Sequence, residues 1–317
     1  MSLVLLENRL SKTKPQHSSR IMTIFASILL FIVFYPLTSC GGQKNMGNMP
    51  IKMAPSPTQS GVSSSADWKL VWSDEFNGAA GTPPDPTKWS PNIGGSGWGA
   101  KELEYNTNNQ NASQDGQGNL VLEARKDNSD GYRCWYGLCE YTSARISTLG
   151  HFSFTYGLIE ARIKVASGQG LWSSFWLLGA NFPQVGWPAC GEIDIMEHIG
   201  RLPNVAIATV HGPGNLQIHG AYMLPKGNLS DGFHVFALQW DPSHLYLSMD
   251  GITYFTVSKS SLTDHGSWVF DHPFLIILSN AVGGLWPGNP NSTTVFPQRM
   301  YVSYVRVYKE KTAGQDG

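Results

Sequence analysis

Three acids, Glu192, Asp194 and Glu197, lie in one short run, Gly191-Glu-Ile-Asp-Ile-Met-Glu-His198. Alternation of Glu192 and Asp194 with Ile193 and Ile195 has the period of two of a strand, so these two carboxylates project from one face and the isoleucines from the other. Strict alternation would send Glu197 to the isoleucine face, where an unpaired carboxylate is costly to bury. One extra residue at Ile195-Met196, a β-bulge, shifts the phase and returns Glu197 to the side of the other two. The spacing therefore predicts a bulged strand with three carboxylates on one wall.

That arrangement suits cleavage of a glycosidic bond. One carboxylate, kept ionised, attacks the anomeric carbon, and another, kept protonated, donates to the leaving oxygen; a separation of about 5 Å gives retention through a covalent intermediate. The acid between them can hydrogen-bond the nucleophile and, by like-charge coupling, keep a proton on one member of the set. Clustered acids are also the ordinary ligands of calcium. These, however, alternate with hydrophobic residues and lack the Asn-, Asp- and Gly-bearing loop that calcium prefers.

The elements that must carry this wall are strands. Residues 157–165 alternate Ile159, Ala161, Ile163 and Val165 with Leu158, Glu160, Arg162 and Lys164. Residues 245–257 form a hairpin around Asp250-Gly251, a favoured two-residue turn. Two further strands are expected over 274–278 and 300–308, with no amphipathic helix longer than two turns. The expected architecture is all-β, two antiparallel sheets packed face to face. With 34 Gly and 19 Pro dispersed without period and 14% charged residues, collagen is excluded and a helical bundle is disfavoured. The formal charge is −1 and bases do not cluster beyond residue 20, so nucleic acid is not an expected partner. The 11 Trp and 12 Tyr suit neutral, hydroxyl-rich ligands, and also large sandwich cores.

The N-terminus reads as an export signal. Arg9, Lys12, Lys14 and Arg20 precede an uncharged stretch from Ile21 to Ser39 that runs into Leu37-Thr38-Ser39-Cys40. The tetrapeptide resembles a bacterial lipobox, which implies cleavage before Cys40 and a lipid on its thiol; a retained membrane anchor is the alternative. Cleavage leaves 18 bases against 22 acids, a formal charge of −4. Residues 1–40 are thus expected to be a lipoprotein signal peptide, 41–66 a flexible linker poor in aliphatic residues, and 67–317 the catalytic domain. The product would be exported, at the cell surface or secreted, with the membrane reached through the lipid anchor. Cys134 and Cys139 bracket a short loop and can close a disulfide, Cys190 has no evident partner, and zinc-ligand spacing is absent.

The chain resembles glycoside hydrolase family 16, in its bacterial laminarinase branch. The resemblance rests on Glu192-Ile-Asp-Ile-Met-Glu197 with Gly170-Leu-Trp-Ser-Ser-Phe-Trp-Leu-Leu-Gly179 and Trp187-Pro-Ala-Cys-Gly191. Supporting stretches are Trp72-Ser-Asp-Glu-Phe76, residues 97–106, Tyr141-Thr-Ser-Ala-Arg-Ile146, His211-Gly-Pro-Gly214 and residues 301–308. It implies a β-jelly-roll sandwich with a concave substrate cleft and a retaining mechanism. It further implies Glu192 as nucleophile, Glu197 as acid/base and Asp194 as the residue that orients the nucleophile. Trp172, Trp176, Trp187, Asn106, Arg145 and His211 are implied to contact sugars, with Trp98, Glu102 and Tyr105 bracing the cleft floor.

By the same resemblance no cofactor is required, and Ser303 stands where Asp often marks a structural calcium site in other members, which argues against calcium here. Ser173 stands where laminarinases commonly have Pro. The implied activity is that of a monomeric endo-β-1,3-glucanase on β-1,3-glucan, with mixed-linkage β-1,3-1,4-glucan as a second substrate. Agarase- or carrageenase-type hydrolysis and non-catalytic β-glucan binding are the alternatives. Residues 127–139 and 212–226 are the segments that would block one end of the cleft in an exo-acting enzyme.

Overall fold

The structure, a computed structural model, describes residues 67–262 and 266–311. The expected signal peptide and linker, including Cys40, lie outside the described residues.

Nineteen strands follow one another in the described chain. The first nine are β1 (Trp68–Asp74), β2 (Ser90–Pro91), β3 (Glu104–Asn106), β4 (Ala112–Gln114), β5 (Leu120–Ala124), β6 (Arg133–Cys134), β7 (Gly137–Leu138), β8 (Tyr141–Ser143) and β9 (Arg145–Ser147). Then come β10 (Gly157–Lys164), β11 (Leu171–Gly179), β12 (Glu192–Ile199), β13 (Val205–Gly212) and β14 (Leu216–Met223). The last five are β15 (His234–Trp240), β16 (His244–Met249), β17 (Ile252–Ser258), β18 (Phe274–Val282) and β19 (Gln298–Glu310). Among the described residues the α-helical content is one four-residue turn, Phe182–Val185, and no helix is long and apolar enough to cross a membrane.

Two antiparallel sheets dominate. One has seven strands in the order β14-β13-β12-β11-β18-β9-β2; the other has eight, β17-β16-β15-β10-β19-β5-β4 with β1 also beside β19. Hydrophobic alternation dictates the packing: in β10 Ile159, Ala161 and Ile163 are buried while Leu158, Glu160, Arg162 and Lys164 are partly exposed. The hairpin of β16 and β17 turns at Asp250-Gly251, whose φ angles of 49° and 78° are the positive pair such a turn requires. Strands β18 and β19 run past the expected 274–278 and 300–308. Each has neighbours on both flanks, so ladder hydrogen bonds extend it beyond its hydrophobic run.

The inner faces meet in one core. The seven-stranded sheet contributes Phe175 and Leu177 from β11, Ile193, Ile195 and Met196 from β12, and Ile276 and Leu278 from β18. Opposite them lie Ile159, Phe236, Leu238, Leu247, Val305 and Val307. Each such fully buried aliphatic or aromatic side chain contributes about 1.5–3 kcal/mol of transfer free energy. The outer face of the same seven-stranded sheet carries the other phase of each strand, and that face lines a cleft.

Outside the sandwich, Cys134 and Cys139 are joined in a disulfide that ties the two-stranded hairpin β6–β7, and Cys190 is free and buried. The hairpin docks on residues 94–103: Trp135 donates from Nε1 to Glu102 O at 2.8 Å and from its backbone to Gly95 O. Much of 212–226 is strand β14, which continues the cleft sheet as its edge strand.

Candidate active site

Strand β12 carries the predicted bulge. Against β13, Asp194 pairs with Thr209 and Glu197 with Ile207, so Ile195 and Met196 together oppose the single residue Ala208. Against β11, Asp194 pairs with Trp176 and Met196 with Phe175, leaving Ile195 as the extra residue. Both Ile195 and Met196 pack into the core, and the phase beyond them is inverted. Glu192, Asp194 and Glu197 consequently line one cleft, with Ser174, Trp176, Ile277 and Ser279 from neighbouring strands.

The carboxylates are buried unequally and have different partners. Trp187 donates from Nε1 to Glu192 Oε2 at 2.9 Å, and Thr209 donates from Oγ1 to Glu197 Oε2 at 2.7 Å. His211 Nε2 lies 3.3 Å from Asp194 Oδ2 and 3.9 Å from Glu192 Oε1, without the alignment of a hydrogen bond to Asp194. Burial raises the proton affinity of all three. Glu192 is pushed up to about 7 by burial and by the charge of Asp194, against the pull of His211, Arg145 and the Trp187 donor. Glu197 is held well above the ordinary carboxylate range by burial and then by Asp194, and Thr209 opposes this only in part. Asp194 is raised by burial, with its hydrogen bond to Glu192 acting the other way. The environments push the two glutamates apart: each has one donor and the pull of His211, but Arg145 favours ionisation of Glu192 alone, and Glu197 is the better proton holder. Ligand atoms of Glu192, Asp194 and His211 also lie within 4.8 Å of one another, a spacing compatible with a small divalent cation.

Aromatic rings build the walls. The Arg145 guanidinium, on β9, sits between the rings of Trp98 and Trp176, 4.6 and 4.7 Å from their centroids. Trp172 stands edge-on to Trp286 at 5.1 Å, and its buried Nε1 has no hydrogen-bond partner among the described residues. Trp187 is tilted against His211 at 5.8 Å. The cleft encloses about 1220 Å³ including its open mouth.

A second pair of acids lies beside this wall. Glu104 accepts from the backbone N–H of Val282 at 2.8 Å and from Asn106 Nδ2 at 3.3 Å. Burial raises both Glu102 and Glu104, but Glu102 further, because the charge of Glu104 adds to it; the side-chain hydrogen bond between them raises Glu102 and lowers Glu104. The charges of Glu102, Glu192 and Glu104 all favour the cation of Arg145, against the burial that disfavours it.

Eight of the nine residues named from the sequence for catalysis or sugar contact come together: Glu192, Asp194, Glu197, Arg145, Trp172, Trp176, Trp187 and His211 all line the cleft. Asn106 does not. It is 1% exposed on β3, whose parallel pairing with β8 tucks it beneath the wall, where its amide binds Glu104 and not the open cleft. Of the expected bracing residues, Trp98 and Glu102 line the cleft, while Tyr105 stacks on Tyr132 at 4.2 Å outside it. Thr209 and Glu104 were missed. Thr209 carried a usable signal, since Thr209 and His211 alternate on one face of the strand after the acids; Glu104 did not, since its partners Val282 and Asn106 depend on non-local packing.

The profile of Glycosyl hydrolases family 16 matches residues 99–306. A beta-glucanase from Rhodothermus marinus is 39% identical over 255 residues, covering 76% of this chain and 85% of that protein. Glucan endo-1,3-beta-glucosidase A1 from Niallia circulans is 32% identical over 266 residues, 78% of this chain; the chain spans only 38% of that longer protein. Among solved structures, the catalytic domain of an endo-1,3-beta-glucanase (laminarinase) from Thermotoga petrophila RKU-1 superposes with a TM-score of 0.73 at 46% identity, over 78% of this chain and 100% of that one.

Proposed function

The chain belongs to glycosyl hydrolase family 16, and from that premise we propose that it is a retaining endo-β-1,3-glucanase that also accepts mixed-linkage β-1,3-1,4-glucan. The observation that carries this reading is the bulge that brings Glu197 to the same cleft wall as Glu192 and Asp194.

Glu192 attacks the anomeric carbon while Glu197 gives its proton to the departing glycosidic oxygen, so that the C–O bond breaks and a glycosyl ester forms on Glu192. Glu197, now ionised, takes a proton from water; the hydroxide equivalent attacks the same carbon, and Glu192 leaves as carboxylate with net retention. Trp187 and Arg145 favour the anionic form of Glu192, and Asp194 raises the proton affinity of its neighbours.

A neutral substrate is favoured by the charge of the cleft. Among the described lining residues Arg145 is the single Lys or Arg, beside the four acids Glu102, Glu192, Asp194 and Glu197. Its cation is already offset by Glu102, Glu104 and Glu192, leaving little to hold a sulfated galactan. Trp172, Trp176 and Trp187 offer flat faces for pyranose rings. The reading extends to an exported monomer tethered through lipid on Cys40, supported by the lipobox-like Leu37-Thr38-Ser39-Cys40 and the uncharged stretch before it.

The test is product analysis after separate incubation with laminarin, lichenan, agarose and carrageenan. A ladder of short oligosaccharides from laminarin, with slower release from lichenan, is expected. Activity confined to a galactan overturns the substrate, and binding to laminarin with no products overturns the enzyme.

A further inference from the structure

The bulge in β12 faces a second bulge. On β17, Phe255 pairs with Leu247 and Thr253 with Ser248, so Tyr254 is the extra residue of its strand as Ile195 is of β12. The consequence is the same in both sheets. Regular alternation from Thr256, which is exposed, would place Tyr254 on the outer face; the bulge turns it inward beside Phe255, and it is 5% exposed in the inter-sheet core.

From there Tyr254 OH donates to Ile195 O at 3.0 Å, across the sandwich from the eight-stranded to the seven-stranded sheet. The carbonyl of the extra residue is therefore turned out of the plane of its sheet and into the core, where a polar group without a partner is destabilising. Burial, with the charge of Glu197 adding to it, keeps the phenol protonated and hence a donor.

We propose that Tyr254 is a positioning residue that locks the β12 bulge and so fixes the direction in which Glu197 enters the cleft. This rests on the reading of Glu197 as acid/base. Without the hydroxyl, the Ile195 carbonyl recovers a partner only by rotating back toward the sheet, which moves the two residues that follow it in the chain. Glu192 and Asp194 precede the bulge and keep their places on β12. The effect is thus confined to the two steps that use Glu197, proton donation to the leaving oxygen and activation of the water that releases the glycosyl ester.

Two substrates separate the steps. Laminarin requires protonation of its leaving oxygen, whereas a 2,4-dinitrophenyl β-laminaribioside has a leaving group that departs without it. Tyr254→Phe is expected to lower kcat on laminarin by about 10- to 100-fold. KM should stay within about twofold, and the pre-steady-state release of 2,4-dinitrophenol, which reads formation of the glycosyl ester before water is activated, should stay within about threefold of wild type. p-Aminophenylalanine at position 254, a weaker donor at the same place, should fall between. Equal slowing of laminarin turnover and of dinitrophenol release, or of neither, overturns the proposal. Glu197→Gln, assayed in parallel, separates this from the parent reading. If Glu197→Gln slows laminarin turnover but not dinitrophenol release and Tyr254→Phe shows no such split, only the Tyr254 proposal fails; if Glu197→Gln slows both equally, both fail. Should Tyr254→Phe not fold, the p-aminophenylalanine variant carries the test with the same criteria.

Discussion

Glu102 and Glu104, like Glu192 and Asp194, are acids two residues apart and largely withdrawn from solvent, and Glu102, Glu104 and Glu192 lie within electrostatic reach of Arg145. The two pairs nevertheless have different fates. Glu104 spends its oxygens on the Val282 N–H and the Asn106 amide, and Glu102 is hydrogen-bonded to it. In the other pair Glu192 has one donor, Trp187, and Asp194 Oδ2 has no aligned donor among the described residues. Burial lifts the proton affinity in both; the difference lies in whether acceptor capacity is used by the fold or left facing the cleft. Carboxylates whose oxygens are used by the fold belong to stability, and those left open are available for chemistry.

The largest expected effect breaks the comparison at its reactive end. Glu192→Gln removes the nucleophile and should lower kcat on laminarin by more than about 10⁴-fold while laminarin still binds in calorimetric titration. Glu197→Ala should cost about 10²- to 10⁴-fold on laminarin but far less on an aryl glycoside with a good leaving group, with azide accelerating turnover and yielding a glycosyl azide.

A third effect is on stability. A carboxyl raised in the folded state holds a proton that the unfolded chain has lost, so its contribution is present at acidic pH and vanishes as pH rises through the folded value. For Glu192, pushed up to about 7, the window runs from its ordinary value near 4.5 to about 7, and the cost at pH 8 is about 3 kcal/mol at 1.36 kcal/mol per unit. Urea denaturation should find Glu192→Gln more stable than wild type at pH 8 by up to that amount and similar to it at pH 4. Glu104→Ala should do the reverse. Leaving the Val282 N–H and the Asn106 amide unpaired should lower stability by about 1–3 kcal/mol, with laminarin kcat/KM within about tenfold of wild type.

The smallest effect sharpens the cleft side alone. Thr209→Val removes the hydroxyl that favours the anionic form of Glu197, so Glu197 should hold its proton to higher pH and the alkaline limb of the kcat/KM profile should move upward.

What could be read from the chain was what depends on neighbours in sequence. The β10 alternation, the Asp250-Gly251 turn and the bulge at Ile195-Met196 are local phase arguments, and the structure has all three. Placement of Asn106 was not legible, because it depends on the parallel pairing of β3 with β8, 37 residues apart at Glu104 and Tyr141. The stacking of Arg145 between Trp98 and Trp176 joins three distant segments. The inward turn of Tyr254 needed a second bulge, in a strand whose side chains offered no misplaced charge to reveal it. A carboxylate on the wrong face announces a phase shift; a tyrosine, amphipathic and tolerable on either face, does not.

The most direct test of the bulged acid wall is the stereochemistry of the product. Proton NMR of laminarin hydrolysis, read in the first minutes after addition of enzyme, should show the β-anomer of the new reducing ends appearing first and the α-anomer growing only by mutarotation. First appearance of the α-anomer would mean inversion, and would contradict a covalent intermediate on Glu192 with Glu197 as its acid and base.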